Sequence, residues 1–231
     1  MGKVKDKIIL LKRCISFVIQ ENKWQDRERY GMFAKTASLK KPMVIADPSK
    51  VFLYPYSKIR SHCRIINYTG RFILKSYSSC SDNLLVVTGN HVPTVGIPQF
   101  FLGETHINDK ERDVVVEEGC WIGASVSLLS GAHICRGAVV GACSMVNKEI
   151  PPYAVAVGSP ARIIASVFTK EQIIEHEKLV FRPEDRLTEN EIDELFEKYF
   201  KGMKSIGTSE IKEEDRKDFE KIQTILRKYP Y

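Results

Sequence analysis

From Val116 onward the chain repeats itself every six residues. Branched apolar side chains stand at Val116, Ile122, Leu128, Ile134, Val140 and Val146. Four places after each come Cys120, Val126, Ala132, Ala138, Ser144 and Ile150, most of them small. Neither the 3.6-residue period of an amphipathic helix nor the two-residue period of a half-buried strand produces this spacing. A six-residue period is the mark of a β-solenoid, in which each coil buries its apolar face only against its neighbours. Glycine follows the branched position at Gly123 and Gly141. A mainly β protein is expected.

Fainter copies lie upstream. Leu53, Ile59 and Ile65 are six apart, and a second series, Ile73, Ser79 and Leu85, steps on to His91. The two series differ in phase, which implies a short insertion near Asn67–Arg71. The phase is lost between His91 and Val116, and residues 92–113, with Pro93, Gly96 and Pro98, read as a loop thrown out of the solenoid. Loops on rigid scaffolds are where function concentrates. After Pro151-Pro152 the signals turn helical: Thr169-x-x-Gln172 and Thr188-x-x-Glu191 are capping boxes. The stripe Ile192, Leu195, Phe196, Tyr199, Phe200 and Met203, and a second one at Phe219, Ile222, Leu226 and Tyr229, predict helices that cover the end of the solenoid. Residues 3–20 predict a further helix at the other end. The expected organisation is a basic helical leader (1–41), a repeat domain (42–166) carrying the 92–113 loop, and a helical extension (167–231).

Composition narrows the setting. The 231 residues suffice for one good core, and no apolar run approaches the roughly 20 residues of a membrane span. No cleavage site of the signal-peptide type follows Ile8–Leu11 or Ile15–Ile19, so a cytoplasmic protein is expected. The six cysteines form no C-x-x-C pair and read as buried free thiols, three of them within the repeat. Residues 1–41 carry 11 basic and 4 acidic groups, whereas residues 167–231 carry 13 and 16. A basic leader suits a solvated helix face or, at most, peripheral contact with an anionic membrane. No nucleic-acid motif accompanies it.

Four runs, Gly89-Asn90-His91, Trp121-Ile122-Gly123-Ala124, Gly141-Ala142-Cys143-Ser144 and Ile150-Pro151-Pro152 with Gly158-Ser159-Pro160-Ala161-Arg162, resemble the hexapeptide-repeat acyltransferases, especially the sugar and xenobiotic O-acetyltransferases. The likeness covers roughly residues 50–166. It implies a left-handed parallel β-helix, a homotrimer with active sites between subunits, acetyl-CoA as co-substrate without a metal, and a carbohydrate acceptor, such as a surface-polysaccharide precursor.

The same resemblance implies roles for particular residues. Asn90-His91 matches the catalytic pair, with His91 as general base, a task that suits an imidazole titrating near neutrality. Ala124 and Ala142, stacked one coil above the other, match positions that receive the pantetheine arm, and Trp121 an aromatic near the reacting groups. Asn147, Lys148 and Arg162 match positions near the nucleotide end, where cations offset phosphate charge. Glu104 and His106 are candidates for substrate contact, and Glu104, Asp109 and Asp113 for orienting His91. Related xenobiotic enzymes tend to carry an acid shortly after the histidine, where Thr94 stands here, which argues against an antibiotic substrate. His133 reads as a surface corner residue. Rival readings are a sugar N-acetyltransferase, a xenobiotic acetyltransferase, a non-catalytic solenoid scaffold, and a metal-dependent lyase of the γ-carbonic anhydrase kind. The last needs three converging histidines, and His62, His91, His106 and His133 lack such a spacing.

Overall fold

The six-residue spacing resolves into three parallel sheets wound around one core. The computed structural model describes residues 2–229. Helix α1 (Gly2–Lys23) leads into the first coil, β1 (Met32–Phe33), β2 (Ser38–Leu39) and β3 (Met43–Ile45). Coil two is β4 (Val51–Leu53), β5 (Lys58–Ile59) and β6 (Cys63–Ile66), and coil three is β7 (Phe72–Leu74), β8 (Ser79–Cys80) and β9 (Leu85–Val87). A loop with one short helix, α2 (Gln99–Thr105), precedes coil four, β10 (Val114–Val116), β11 (Trp121–Ile122) and β12 (Ser127–Leu128). Coil five comprises β13 (His133–Ile134), β14 (Val139–Val140) and β15 (Met145–Val146). The last coil holds β16 (Glu149–Ile150) and β17 (Ala154–Val157), against which β18 (Arg162–Ser166) folds back antiparallel. Sheet A stacks β1-β4-β7-β10-β13-β16, sheet B stacks β2-β5-β8-β11-β14-β17-β18, and sheet C stacks β3-β6-β9-β12-β15. The solenoid therefore begins at Met32, inside the stretch read as a leader, rather than at residue 42.

Both repeat columns point inward. Val116, Ile122, Leu128, Ile134 and Val140 are wholly buried and Val146 nearly so, as are Val126, Ala132 and Ala138. Between them a residue with left-handed backbone recurs at every corner, at Gly119, Ser125, Gly131, Gly137 and Cys143. Positive φ there turns the chain without interrupting the stack. The glycine after the branched position has a different cause. A Cβ at Gly123 would lie 2.6 Å from the amide nitrogen of Ala142 in the next coil, so the coils close up only on glycine.

Register explains what the upstream pattern obscures. Coils four and five keep the hexapeptide phase, with Trp121 opposite Val139. Coils two and three do not: Val51 pairs with Phe72, a longer step, and the surplus sits at the corner after β6, in the Asn67–Arg71 region expected to hold an insertion. Leu53, Ile59 and Ile65 are buried as expected. The inward column of coil three is instead Leu74, Cys80 and Val86, all fully buried, not Ile73, Ser79 and Leu85. The phase is one residue later than expected, and His91 falls outside the column.

The C-terminal helices are α3 (Lys170–Val180), α4 (Glu189–Leu195) and α5 (Arg216–Lys228). Both capping boxes form, on Thr169 and Gln172 and on Thr188 and Glu191. Phe200, with Leu195, Phe196 and Tyr199, packs on the solenoid core. Met203 remains exposed, and so do Phe219, Ile222 and Tyr229. Of the α5 stripe only Leu226 is buried, against Val180 and Phe181. Rather than capping the end, α5 reaches back to the side of the solenoid, where the Tyr77 hydroxyl donates to the Tyr229 carbonyl. All six cysteines are free thiols; four are buried as expected, but Cys14, on α1, and Cys143, at a solenoid corner, are exposed. Burial pushes the Cys135 thiol up to about 12 and those of Cys80 and Cys120 further, which suits packing rather than reactivity.

Candidate active site

The chain leaves the solenoid at the edge between sheets C and A. Two backbone hydrogen bonds close the neck of the excursion: Arg112 N–H donates to Thr88 O (3.3 Å) and Lys110 N–H to Asn90 O (3.2 Å). Side chains lock it from both flanks. The Glu111 carboxylate accepts from the N–H groups of Thr69 and Gly70 (2.9 Å each), Asp113 pairs with Arg71 (2.6 Å), and Ser130 Oγ accepts from Arg112 N–H (3.1 Å). The inserted corner at 67–71 thus doubles as an anchor for the loop. Further out, Leu102 of α2 is buried while Phe100 and Phe101 stand exposed.

Just past this neck the loop brings two imidazoles onto one carboxylate. His91 Nδ1 lies 3.0 Å from Asp109 Oδ1, and His106 Nδ1 lies 2.7 Å from Asp109 Oδ2. The two rings are 5.6 Å apart. Local backbone makes this possible: His106 caps α2 in the left-handed conformation, and Asn108 takes a second positive φ, its amide donating to Thr94 Oγ1 (3.1 Å). Those two turns reverse the chain so that Asp109 faces back toward the neck. Its side chain is largely covered (12 % exposed), whereas His91 keeps 47 % of its surface in solvent. The His106 hydrogen bond, and then that of His91, holds the Asp109 carboxyl below the usual carboxylate range against the opposing effect of burial.

An ionised Asp109 accepts Nδ1–H from His91, which assigns the remaining lone pair to Nε2. A half-exposed imidazole in that tautomer can take a proton from an acceptor and return it. Of the three acids considered as orienting groups, Asp109 is the one bonded to His91; Asp113 is committed to Arg71, and Glu104 is exposed on α2. His106, read from sequence as a substrate contact, is tied to the same Asp109 carboxylate that His91 contacts. Among the described residues, the ligand atoms of His91, His106 and Asp109 also lie within 4.8 Å of one another, as do those of Glu117, His133 and Cys135. The first set has donor types that suit a divalent transition metal, so folding brings together two histidines that the sequence spacing separates. His133 lies on strand β13, bridging Glu117 (2.9 Å) and Glu149 (3.8 Å) across neighbouring coils, and is not a corner residue.

The other sequence-chosen residues fall on two different edges of the prism. Ala124 and Ala142 stack one above the other at the edge between sheets B and C, where Cys143 N–H donates to Ala124 O (2.9 Å). Trp121 precedes this edge and is exposed (63 %). Gly158 and Ala161 continue it, both bonded to the Met145 backbone, and exposed Arg162 returns from there alongside Val157. Asn147 and Lys148 instead occupy the edge between sheets C and A, at a contracted corner that sets His133 opposite Glu149, on the side from which the His91 loop departs. Within one chain, the structure therefore groups Asn90, His91, Glu104, His106, Asn147 and Lys148 on one edge, and Trp121, Ala124, Ala142 and Arg162 on another.

Known proteins share both the repeat and the coil. Residues 113–148 match the family described as bacterial transferase hexapeptide (six repeats). A chloramphenicol acetyltransferase of Klebsiella aerogenes is 39 % identical over 64 residues, covering 28 % of this chain and 30 % of that protein. A putative acetyltransferase of Schizosaccharomyces pombe is 27 % identical over 121 residues, covering 52 % and 58 %. The chain thus spans less than two thirds of the length of these curated relatives. Among solved structures, a maltose O-acetyltransferase from Clostridium difficile 630 superposes with a TM-score of 0.55 at 22 % identity, over 62 % of this chain and 72 % of that one. A hexapeptide-repeat-containing acetyltransferase from Vibrio cholerae, solved with acetyl coenzyme A, gives 0.54 at 20 % identity over 62 % and 74 %. The chain carries the bacterial transferase hexapeptide repeat and has the left-handed β-helix fold of the hexapeptide-repeat acetyltransferases.

Proposed function

We propose that this protein is an acetyl-CoA-dependent O-acetyltransferase acting on a carbohydrate hydroxyl, such as that of a surface-polysaccharide precursor, with His91 as general base. The observation that carries the reading is the His91–Asp109 pair at the loop neck of a hexapeptide-repeat solenoid. The acceptor hydroxyl oxygen attacks the thioester carbonyl carbon while its proton passes to His91 Nε2. The C–S bond then breaks, and the departing CoA sulfur takes that proton back. No covalent enzyme intermediate is required. Asp109 positions the imidazole and stabilises its protonated form, as the acid of a Ser-His-Asp triad does. Asn90, the residue before His91, completes the catalytic pair in this reading, and Glu104 and the open face of His106 line the acceptor. The pantetheine arm runs along Ala124 and Ala142 beside Trp121, and Arg162 meets the nucleotide phosphates.

Because His91 and the Ala124–Ala142 column stand on different edges, this reading requires a second copy. A cyclic homotrimer sets the donor edge of one subunit against the base of the next, and Asn147 and Lys148 then reach the donor from the facing copy. Dependence on acetyl-CoA assigns the reaction to the cytoplasm. Among the described residues, no helix is long and apolar enough to cross a membrane.

The test is acetyl-CoA binding by calorimetry and thiol release with a panel of sugars, for wild type and His91→Ala. Equal binding with a loss on the order of 10²–10⁴-fold in kcat supports the base assignment. A wild type that does not bind acetyl-CoA refutes the reading. Stoichiometric zinc or cobalt together with rate loss on chelation would move His91, His106 and Asp109 to a metal centre.

A further inference from the structure

Helix α1 stands outside the candidate active site, and most of its side chains stand outside the core. Ile8, Leu11, Ile15 and Val18 recur at helical spacing, with Leu10 and Phe17 on one flank and Ile19 on the other. At the helical rotation per residue they form an apolar face of roughly 200°. All seven are about half exposed or more, from 49 % at Ile8 to 62 % at Leu10. The opposite arc holds Lys5, Lys12, Arg13, Ser16 and Lys23, with Ile9 among them, and Lys7 lies within the angular span of the apolar face, one turn N-terminal to Leu11. Over residues 5–19 the one acid is Asp6.

The helix is nevertheless fixed in place at its C-terminal end. Trp24 is buried in the first coil, its indole N–H donating to Ile45 O (3.2 Å), and Tyr30 O–H donates to the Trp24 carbonyl (2.6 Å). Lys41 Nζ donates to Asn22 Oδ1 (2.8 Å). An apolar face is thus mounted on the end of the solenoid opposite β18, with its cations alongside.

We propose that α1 is a docking surface for an anionic lipid bilayer, lying in the plane of the headgroups with its apolar face inserted. Width and charge both favour this occupant. A two-stranded seam between copies would cover the Ile8, Leu11, Ile15 and Val18 stripe and leave Leu10 and Phe17 in water. It would also bring two sets of like charges together. A membrane interface accepts the whole face, while lysine and arginine stems extend toward lipid phosphates. Docking of this kind does not depend on the acetyl-transfer reading.

The experiment is co-sedimentation of the full chain with vesicles of phosphatidylcholine alone or with a third phosphatidylglycerol. Wild type is expected to pellet about tenfold more with the anionic vesicles and to be released by high salt. Leu11→Glu/Ile15→Glu and Lys5→Glu/Lys12→Glu/Arg13→Glu should each abolish pelleting while the melting temperature stays unchanged. The proposal is overturned by a wild type left in the supernatant, by equal pelleting with both vesicles, or by pelleting that survives both sets of substitutions. A lipid-free solution mass that falls with Leu11→Glu/Ile15→Glu also overturns it, by assigning the face to a second copy.

Discussion

Asp109 carries more of the candidate chemistry than any other side chain whose role the linear order leaves open. Four acids lie in the loop, Glu104, Asp109, Glu111 and Asp113, and nothing in the linear order shows which one faces His91. Two left-handed residues, His106 and Asn108, make the choice by folding the loop back on itself. His91 itself is legible as a motif, but its partner requires the turn. Asp109→Asn keeps the shape of the side chain and removes the charge that stabilises a protonated imidazole. Its kcat is expected to fall about 10²-fold or more while the KM for acetyl-CoA stays within about twofold. Steady-state kinetics on the two substrates separate this outcome from a loop collapse, which would raise the acceptor KM as well. His106→Gln should cost less, since the His91–Asp109 hydrogen bond survives it.

At the scale of elements, the repeat is legible where two columns are constrained together, in coils four and five. In coil three it reads one residue out of phase, because Cys80 stands in place of a branched residue and the inserted corner precedes it. The corners are invisible in the sequence: of five successive left-handed positions, Ser125 and Cys143 are not glycine. Helix α3 adds a titration that no pattern announces. Burial beside Tyr153 and Phe168 lowers the His176 pKa to about 4. The native state therefore holds this imidazole neutral, whereas the unfolded chain protonates it near pH 6.5. Between those values the unfolded state binds the extra proton, so stability falls as pH drops from about 6.5 to 4, by on the order of 2–3 kcal/mol. Thermal melts of wild type and His176→Phe across that range should show a shallower slope for the variant. Equal slopes would place the acid sensitivity elsewhere.

For the whole molecule, the decisive feature is that His91, the proposed base, and the Ala124–Ala142 column, the proposed donor site, lie on separate edges of a three-sided prism. A catalytic step within one chain would have to bridge them across the solenoid, whereas a cyclic assembly brings them together at every interface. This arrangement predicts complementation between inactive chains. His91→Ala lacks the base but keeps its donor edge; Ala142→Trp fills the exposed donor edge but keeps its base. Each alone should be inactive. Co-expressed with two different tags and purified through both, every trimer contains both chains, in a two-to-one ratio of either kind. Around such a ring one of the three interfaces joins an intact base to an intact donor edge, so about one third of the wild-type rate should return. A site contained within one chain gives no recovery, because each chain carries its own defect, and a dimeric ring would return about half. The recovered fraction therefore reads both where the site lies and how many subunits close the ring.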